Sequence, residues 1–203
     1  ANEGQSFPPL LSHQYELGAK LDGDRWSYTA AAFRIERGLV YDQVRDGRRY
    51  QVQNGTVRFD GIEFSAKGRI GEHWSLLGSG LWLDAKNLRA DPALEGKRAY
   101  GAPRWQASAY LEYEVPRVTG LVFSAGGQYV GNRPLEADNS NIVKAYHTFD
   151  LGARYATHVG RTPVIYRVNL DNVTNQRYWL AAWQSILNQG APRVLRASVE
   201  FEL

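Results

Sequence analysis

The sequence predicts an all-β fold, namely an antiparallel β-barrel of the kind that spans a membrane, and three observations support this prediction. Apolar and polar residues alternate along many segments, which is typical of strands with one apolar face. Short and long breaks alternate between these segments. Several segments carry Tyr, Trp or Phe near their ends, where membrane barrels place an aromatic girdle.

The alternation is clearest at the C-terminal end of the chain. One face there would consist of Leu195, Ala197, Val199, Phe201 and Leu203, and the other of Arg196, Ser198, Glu200 and Glu202. A side-chain period of two indicates a strand rather than a helix. Strand-like segments occur nine times, roughly at residues 13–21, 26–41, 51–70, 75–87, 103–115, 121–131, 145–157, 163–172 and 193–203.

The second and third predicted strands alternate less simply than the others. In the second strand, we expect the apolar face to consist of Thr29, Ala31, Phe33 and Ile35. In the third strand, the apolar residues change phase, being first Val57 and Phe59 and then Ile62, Phe64 and Ala66. We therefore expect a β-bulge near Asp60–Gly61, since one extra residue would return both halves to the same face.

The breaks between the predicted strands differ in length on the two sides of the sheet. The short breaks are Asp22–Arg25, Gly71–Trp74, Pro116–Gly120 and His158–Thr162. The long breaks are roughly Asp42–Tyr50, Leu88–Gly101, Asn132–Lys144 and Val173–Pro192. Outer-membrane barrels have short periplasmic turns and longer extracellular loops, so this pattern favours an outer-membrane barrel.

The number of strands predicts that the barrel is incomplete. Nine is odd, whereas bacterial single-chain barrels have an even number of antiparallel strands. The start of the first strand and the end of the last strand would lie on opposite sides of the membrane. A closed antiparallel barrel of this type does not allow that arrangement. We therefore expect residues 13–203 to be one segment of a larger barrel, and residues 1–12 to be a loop that enters the first strand.

Composition excludes several other classes of protein. The 203 residues include no cysteine, which excludes disulfides and thiolate metal sites. No apolar stretch approaches the roughly 18 residues that a transmembrane helix needs. The net charge of +3 is not concentrated in a patch, so we expect no nucleic-acid partner. A soluble β-sandwich or lipocalin-like barrel stays an alternative, although the full charges on most polar faces suit a wet lumen better.

Five segments, taken in order, resemble motifs of the TonB-dependent outer-membrane receptors, specifically the siderophore-receptor branch. They are Tyr15-Glu16-Leu17-Gly18-Ala19-Lys20, Gly61-Ile62-Glu63, Pro103-Arg104-Trp105, Asn172-Val173-Thr174-Asn175-Gln176-Arg177-Tyr178 and Gly190-Ala191-Pro192-Arg193. The residues of the structural motif near the C-terminus would be Asn172, Tyr178, Gly190, Pro192, Arg193 and Phe201. The chain departs from the family pattern at its end, where Leu203 replaces the usual terminal aromatic residue.

The resemblance implies a barrel of twenty-two strands in the bacterial outer membrane, with an N-terminal plug domain inside it. It implies uptake of a ferric siderophore, driven by the TonB system through a short box before the plug. The partners would be the siderophore, the plug, the remaining strands and membrane lipid, with no covalently bound cofactor. The same family with cobalamin, haem or glycan cargo is an alternative, as are an autonomous small pore or adhesin and a soluble β-sheet binding module.

The resemblance also implies ligand contacts in the extracellular loops. The candidate residues are Trp183, Gln184, Tyr178 and Trp179, with Tyr100 and Tyr146 as weaker candidates. For Tyr178 and Trp179, we expect a place in the aromatic girdle to be the better interpretation. For Arg193, a structural pairing is favoured over an anionic ligand. The four histidines show no metal-ligand spacing and the carboxylates no distinguishable acid/base pair, so we expect no metal site and no enzyme.

Overall fold

The computed structural model describes residues 2–181 and 186–201, and this part of the chain contains thirteen strands. They are β1 (Ser12–Asp22), β2 (Trp26–Arg45), β3 (Arg48–Ile70), β4 (Trp74–Arg89), β5 (Trp105–Glu114), β6 (Leu121–Val130), β7 (Arg133–Pro134), β8 (Ile142–Val143), β9 (Tyr146–Val159), β10 (Thr162–Asp171), β11 (Trp179–Ala181), β12 (Leu187–Gln189) and β13 (Val194–Phe201). No helix among the described residues is long and apolar enough to cross a membrane.

Nine of these strands form one antiparallel sheet, which confirms the predicted fold class. The order of neighbours is β1-β2-β3-β4-β5-β6-β9-β10-β13, so each strand pairs with the next long strand in the sequence. The hairpins β7–β8 and β11–β12 are small separate sheets within the long connections that precede β9 and β13. Residues 2–11 form no strand and run along the outer ends of β2 and β3, where the Gly38 amide donates to the Leu11 carbonyl at 3.1 Å.

Cross-strand pairing places the apolar side chains of successive strands on one face. On β4 and β5, Trp74 stands opposite Tyr113 and Trp82 stands opposite Trp105. The ring centroids of these pairs are 4.4 Å and 6.5 Å apart. Eight residues separate Trp74 from Trp82, which corresponds to roughly 26 Å along a strand. Two rows of aromatic rings therefore bracket a band close to the ~25 Å apolar height of an outer-membrane barrel.

The apolar face expected for β2 is wrong. Thr29 stands opposite Ser65 and Phe33 opposite Gly61, so Thr29, Ala31, Phe33 and Ile35 share the face that carries Glu63 and Lys67. The apolar residues Ile62 and Phe64 stand instead opposite Ala32 and Ala30. The alternation of residues in β2 does not show which of its faces meets lipid, because alanines make both faces apolar. Pairing with the neighbouring strands decides which face meets lipid.

The bulge expected near Asp60–Gly61 is also wrong. Pairing with β2 continues through this point, and the register shifts lie instead at Leu39/Tyr41 and Thr56/Val57. The apolar residues change face because the upper part of β3 extends beyond the apolar band. There, Val57 on the inner face packs with Ala85 and Ala99, and Phe59 packs against this buried group.

The expected long loop at Asp42–Tyr50 is a tight hairpin. β2 and β3 continue to pair as far as Arg45 and Arg48, and only Asp46 and Gly47 lie between them. Both residues have positive φ angles, of 49° and 70°, as a type I′ turn requires. The other three long breaks are confirmed as long connections, at residues 90–104, 131–145 and 172–193.

Gly61 is required where the Phe33 ring crosses β3. A Cβ atom built on Gly61 would overlap three atoms of that ring. We predict that Gly61→Ala lowers the free energy of unfolding of the complete barrel by about 1–3 kcal/mol, because Phe33 must leave its rotamer. The measurement is the temperature at which the folded band disappears in semi-native electrophoresis. Gly78→Ala is the matched control, since the nearest atom to a Cβ there is the Ser108 carbonyl oxygen at 3.7 Å. An equal loss in both variants would contradict the prediction.

Both edges of the nine-stranded sheet are open within the described residues. Every residue of β1 and of β13 is exposed, and each strand pairs on one side only. Unpaired backbone groups are costly in lipid. We therefore predict that residues 1–203 alone aggregate on refolding into detergent micelles, whereas the complete barrel gives a compact, heat-modifiable band. A monomeric 203-residue species that conducts ions in bilayers would instead indicate an autonomous small barrel.

Candidate functional site

Two of the long connections meet beyond the end of the sheet that is opposite the short turns. One contains β7 and β8, and the other contains β11 and β12. Between them lies a cavity of about 530 Å³, here called the loop pocket. Residues from both connections line it, among them Asn141, Ile142, Lys144, Arg177, Tyr178 and Trp179.

Tyr178 is held on the inner side of the sheet. Its ring stacks on that of Tyr146, with centroids 4.1 Å apart and an angle of 20° between the planes. Tyr146 is opposite Val130, on the face that also carries Gln128 and Thr148. The Tyr178 ring also lies against Gly190, where any side chain would overlap it.

The expected place of Tyr178 and Trp179 in the aromatic girdle is therefore wrong. The girdle rings lie on the lipid face of the long strands, whereas Tyr178 stacks on an inward-facing residue. Trp179 begins the short strand β11, is half-exposed and lines the loop pocket. Both residues lie in the loop because the chain leaves the sheet at Asp171 and does not rejoin it until Val194.

Arg133 is buried behind the wall of the loop pocket, and no motif or spacing in the sequence marks it as a functional residue. Only 5% of its surface is exposed. Its Nη2 donates to the Trp179 carbonyl oxygen at 2.7 Å, and its Cζ lies 5.6 Å from the centroid of the Tyr146 ring. Its Nη1 has no hydrogen-bond partner. Burial lowers the pKa of this guanidinium, which nevertheless stays charged because arginine ordinarily titrates far above neutral pH.

Asn172 ties the two ends of the last connection together. It is 4% exposed and has a φ of 49°. Its Nδ2 donates to the carbonyl oxygens of Gln176 and Ala191 at 2.9 Å and 3.0 Å, and its Oδ1 accepts from the Gln176 amide at 2.9 Å. Nearby, the Arg193 amide donates to Asn175 Oδ1 at 3.1 Å. These bonds hold the base of the connection closed at the end of β10.

The other motif residues lie in different places. Gly190 is joined to Tyr178 by a hydrogen bond of 2.9 Å from its amide to the Tyr178 carbonyl. Pro192 lies between this contact and Arg193, whose Nη1 donates to the Val173 carbonyl at 3.4 Å. Phe201 stands opposite Val164, far from the loops. The structural roles expected for these residues stay predictions.

The remaining candidate ligand residues are not gathered into the loop pocket. Trp183 and Gln184 lie outside the described residues. Tyr100 is 47% exposed on the connection between β4 and β5, next to Gly101, whose amide donates to the Pro134 carbonyl at 2.8 Å. Ligand contact by these residues therefore stays a prediction.

The connections before β5 and before β9 form one unit. The Arg98 amide donates to Asn139 Oδ1 at 2.9 Å, and Asn139 Nδ2 donates back to the Arg98 carbonyl at 2.9 Å. Arg98 Nη2 also donates to the Asn132 carbonyl at 3.0 Å. On the same connection, Ala99 packs against Val57 on the inner face. The connections thus lean over the inner face of the sheet rather than away from it.

Below the loops, the inner face is polar. One register row crosses six strands through Thr29, Ser65, Ser79, Ser108, Gln128 and Thr148. Hydrogen bonds join these side chains in pairs, with 2.8 Å between the hydroxyls of Ser79 and Ser108. Arg196 pairs with Asp171 at 2.7 Å on the same face. No group of three or more His, Asp or Glu side chains among the described residues could hold a metal ion. This face suits a water-filled lumen.

Comparison with known proteins identifies the family. The family model described as TonB dependent receptor-like, beta-barrel, matches residues 1–175. The chain belongs to this TonB-dependent receptor family. Its C-terminal strands therefore belong to a bacterial outer-membrane protein, and the larger barrel expected from the odd strand count is confirmed.

Relatives of this TonB-dependent receptor chain include named siderophore receptors. The ferrichrome receptor FcuA of Yersinia enterocolitica is 35% identical over 99% of the chain and 27% of its own length. The ferrioxamine B receptor of Salmonella typhimurium is 27% identical over 98% of the chain and 29% of its own length. The crystal structure of BauA, the ferric preacinetobactin receptor of Acinetobacter baumannii, matches with a TM-score of 0.87 and 32% identity.

These figures also show how much of a receptor the chain represents. The match with BauA includes 99% of this chain but only 31% of BauA, so the chain spans less than a third of the length of each of these three receptors. The resemblance to siderophore receptors stated from the five motifs is confirmed by these relatives.

Removing the Asn172 side chain should loosen the last connection of the receptor. We predict that Asn172→Gly, which still permits the positive φ, exposes the Arg177 peptide bond to trypsin on intact cells. The reason is the loss of three hydrogen bonds, each worth about 0.5–1.5 kcal/mol. Asn188→Gly, at an exposed position of β12, is the control. Equal cleavage of wild type and Asn172→Gly would show that the connection does not depend on Asn172.

Proposed function

We propose that the chain is the C-terminal barrel segment of a receptor that takes up a ferric siderophore across the outer membrane. The observation that carries the proposal is the loop pocket, which lies at the extracellular end and has Tyr178 and Trp179 in its wall. Siderophore complexes are bulky and partly apolar, and flat aromatic walls suit such surfaces. The three relatives named above, which are receptors for ferrichrome, ferrioxamine B and ferric preacinetobactin, support the same cargo class.

In this proposal the role of each residue follows from its position in the barrel or in the loops. The residues before Ser12 would be a loop that enters β1, and the nine strands of the large sheet would be barrel wall. Trp179 and Tyr178 contact the ligand, with Trp183, Gln184 and Tyr100 as further candidates from neighbouring parts of the loops. Tyr178 is held in the pocket wall by its stacking on Tyr146 and its close contact with Gly190.

The remaining parts of the receptor supply the transport step. A plug domain would occupy the polar lumen, and the TonB system would act on it through an N-terminal box. The iron is cargo, held by the siderophore's own oxygen atoms, so we propose no covalently bound cofactor. We propose no chemical reaction for this segment, since transport needs only binding and release.

Uptake of radiolabelled iron by cells that carry the full-length receptor as their sole siderophore receptor tests this function. We predict uptake with at least one ferric siderophore, and its loss in cells that lack TonB. Trp179→Ala should weaken binding about 5- to 20-fold through loss of an aromatic contact, whereas Trp179→Phe should retain most of the affinity. Growth on cobalamin, haem or a glycan, with no siderophore uptake, would overturn the proposal.

A further inference from the structure

The loop pocket is lined by positive charge. Lys144 and Arg177 are both exposed residues of its lining, and no carboxylate belongs to that lining among the described residues. The last connection, residues 172–193, contains Arg177 and Arg193 but no Asp or Glu at all. A ligand in the loop pocket therefore meets cations on both of the connections that enclose it.

A third cation lies directly behind the pocket wall. Arg133 donates to the carbonyl oxygen of Trp179, which lines the pocket, and it makes no ion pair with a described carboxylate. Because Arg133 is 5% exposed, water screens its charge only weakly. A buried cation without a counter-ion raises the potential of the adjoining pocket and favours negative charge there.

The nearest negative group in the hydrogen-bonding network is Glu136. Its Oε2 accepts from Ser140 Oγ at 2.6 Å and from Asn141 Nδ2 at 3.1 Å. Asn141 lines the loop pocket, so this carboxylate lies one side chain away from it. Asp138 Oδ1 also accepts from Ser140 Oγ, at 2.8 Å. Two carboxylates outside the lining, Glu136 and Asp138, thus oppose three cations, Lys144, Arg177 and Arg133, so positive charge stays in excess around the pocket.

We propose that the loop pocket selects ferric siderophores that carry net negative charge, with Lys144 and Arg177 as the residues that determine this specificity. The inference rests on the proposed function and names the class of complex within it. The two cations attract an anionic complex and repel a cationic one. Both effects increase specificity, since specificity is the difference between the affinities for the two complexes. Arg133 acts through Trp179 as a positioning residue rather than as a ligand contact, because its guanidinium is enclosed.

The experiment compares three complexes of different charge on the purified full-length receptor. The probes are an anionic ferric tris-catecholate, neutral ferrichrome and cationic ferrioxamine B, and quenching of tryptophan fluorescence gives each Kd. We expect the anionic complex to bind most tightly, and its Kd to rise with added salt because screening weakens charge attraction. The Kd of ferrichrome should not change with salt.

Variants separate charge from packing. Lys144→Gln combined with Arg177→Gln should weaken binding of the anionic complex about 3- to 10-fold and leave ferrichrome unchanged. Lys144→Arg combined with Arg177→Lys keeps the charge and should keep the affinity, which excludes a folding defect as the cause. Arg117→Gln, an exposed cation on a turn at the other end of the sheet, is the matched control and should change neither Kd.

Two results would overturn the inference, and they differ in what else they overturn. If ferrichrome or ferrioxamine B binds as tightly as the anionic complex, or if the glutamine variant weakens all three alike, the pocket does not select charge although the receptor still binds siderophores. If no ferric siderophore of any charge binds or is taken up, the proposed function itself fails.

Discussion

The need to pair every backbone group within lipid determines most of this structure. Each strand between the two edges of the sheet satisfies its amides and carbonyls on its neighbours, because hydrocarbon offers no other partner. Pairing fixes the register, and the register fixes which side chains face lipid, since a shift of one residue would turn every side chain to the other face. The two aromatic rows at Trp74–Tyr113 and Trp82–Trp105 line up across strands for this reason.

The same constraint explains where irregular structure occurs. Long connections appear only beyond the aromatic row that includes Trp82 and Trp105, and there side chains take over from the sheet in satisfying backbone groups. Asn172 bonds backbone groups of Gln176 and Ala191, and Arg98 and Asn139 bond each other's backbone. Loops anchored in this way can hold a pocket of defined shape, which mobile loops could not.

A structural feature could be predicted from the sequence when it depends on residues close together in the chain, and could not when it depends on contacts between distant residues. β13 was predicted from its own alternation, because Leu195, Ala197 and Val199 contrast with charged neighbours. In β2, Ala30 and Ala32 make both faces apolar. Only the pairing with Ile62 and Phe64 decides which face meets lipid. Trp179 could be proposed as a ligand residue from the resemblance, but the burial of Arg133 behind it joins residues 46 positions apart and leaves no local pattern.

The distribution of charge follows from the same physics and limits where selectivity can arise. The lipid face between the aromatic rows carries apolar and small residues, since a charge there would be costly. Some charges on the inner face are paired, as Arg196 is with Asp171 and Arg167 with Glu200. Lys144, Arg177 and the buried Arg133 lie in the connections, where water and an incoming ligand are both present. A receptor built on this sheet can therefore discriminate between ligands by charge at its loops without disturbing the pairing that keeps it in the membrane.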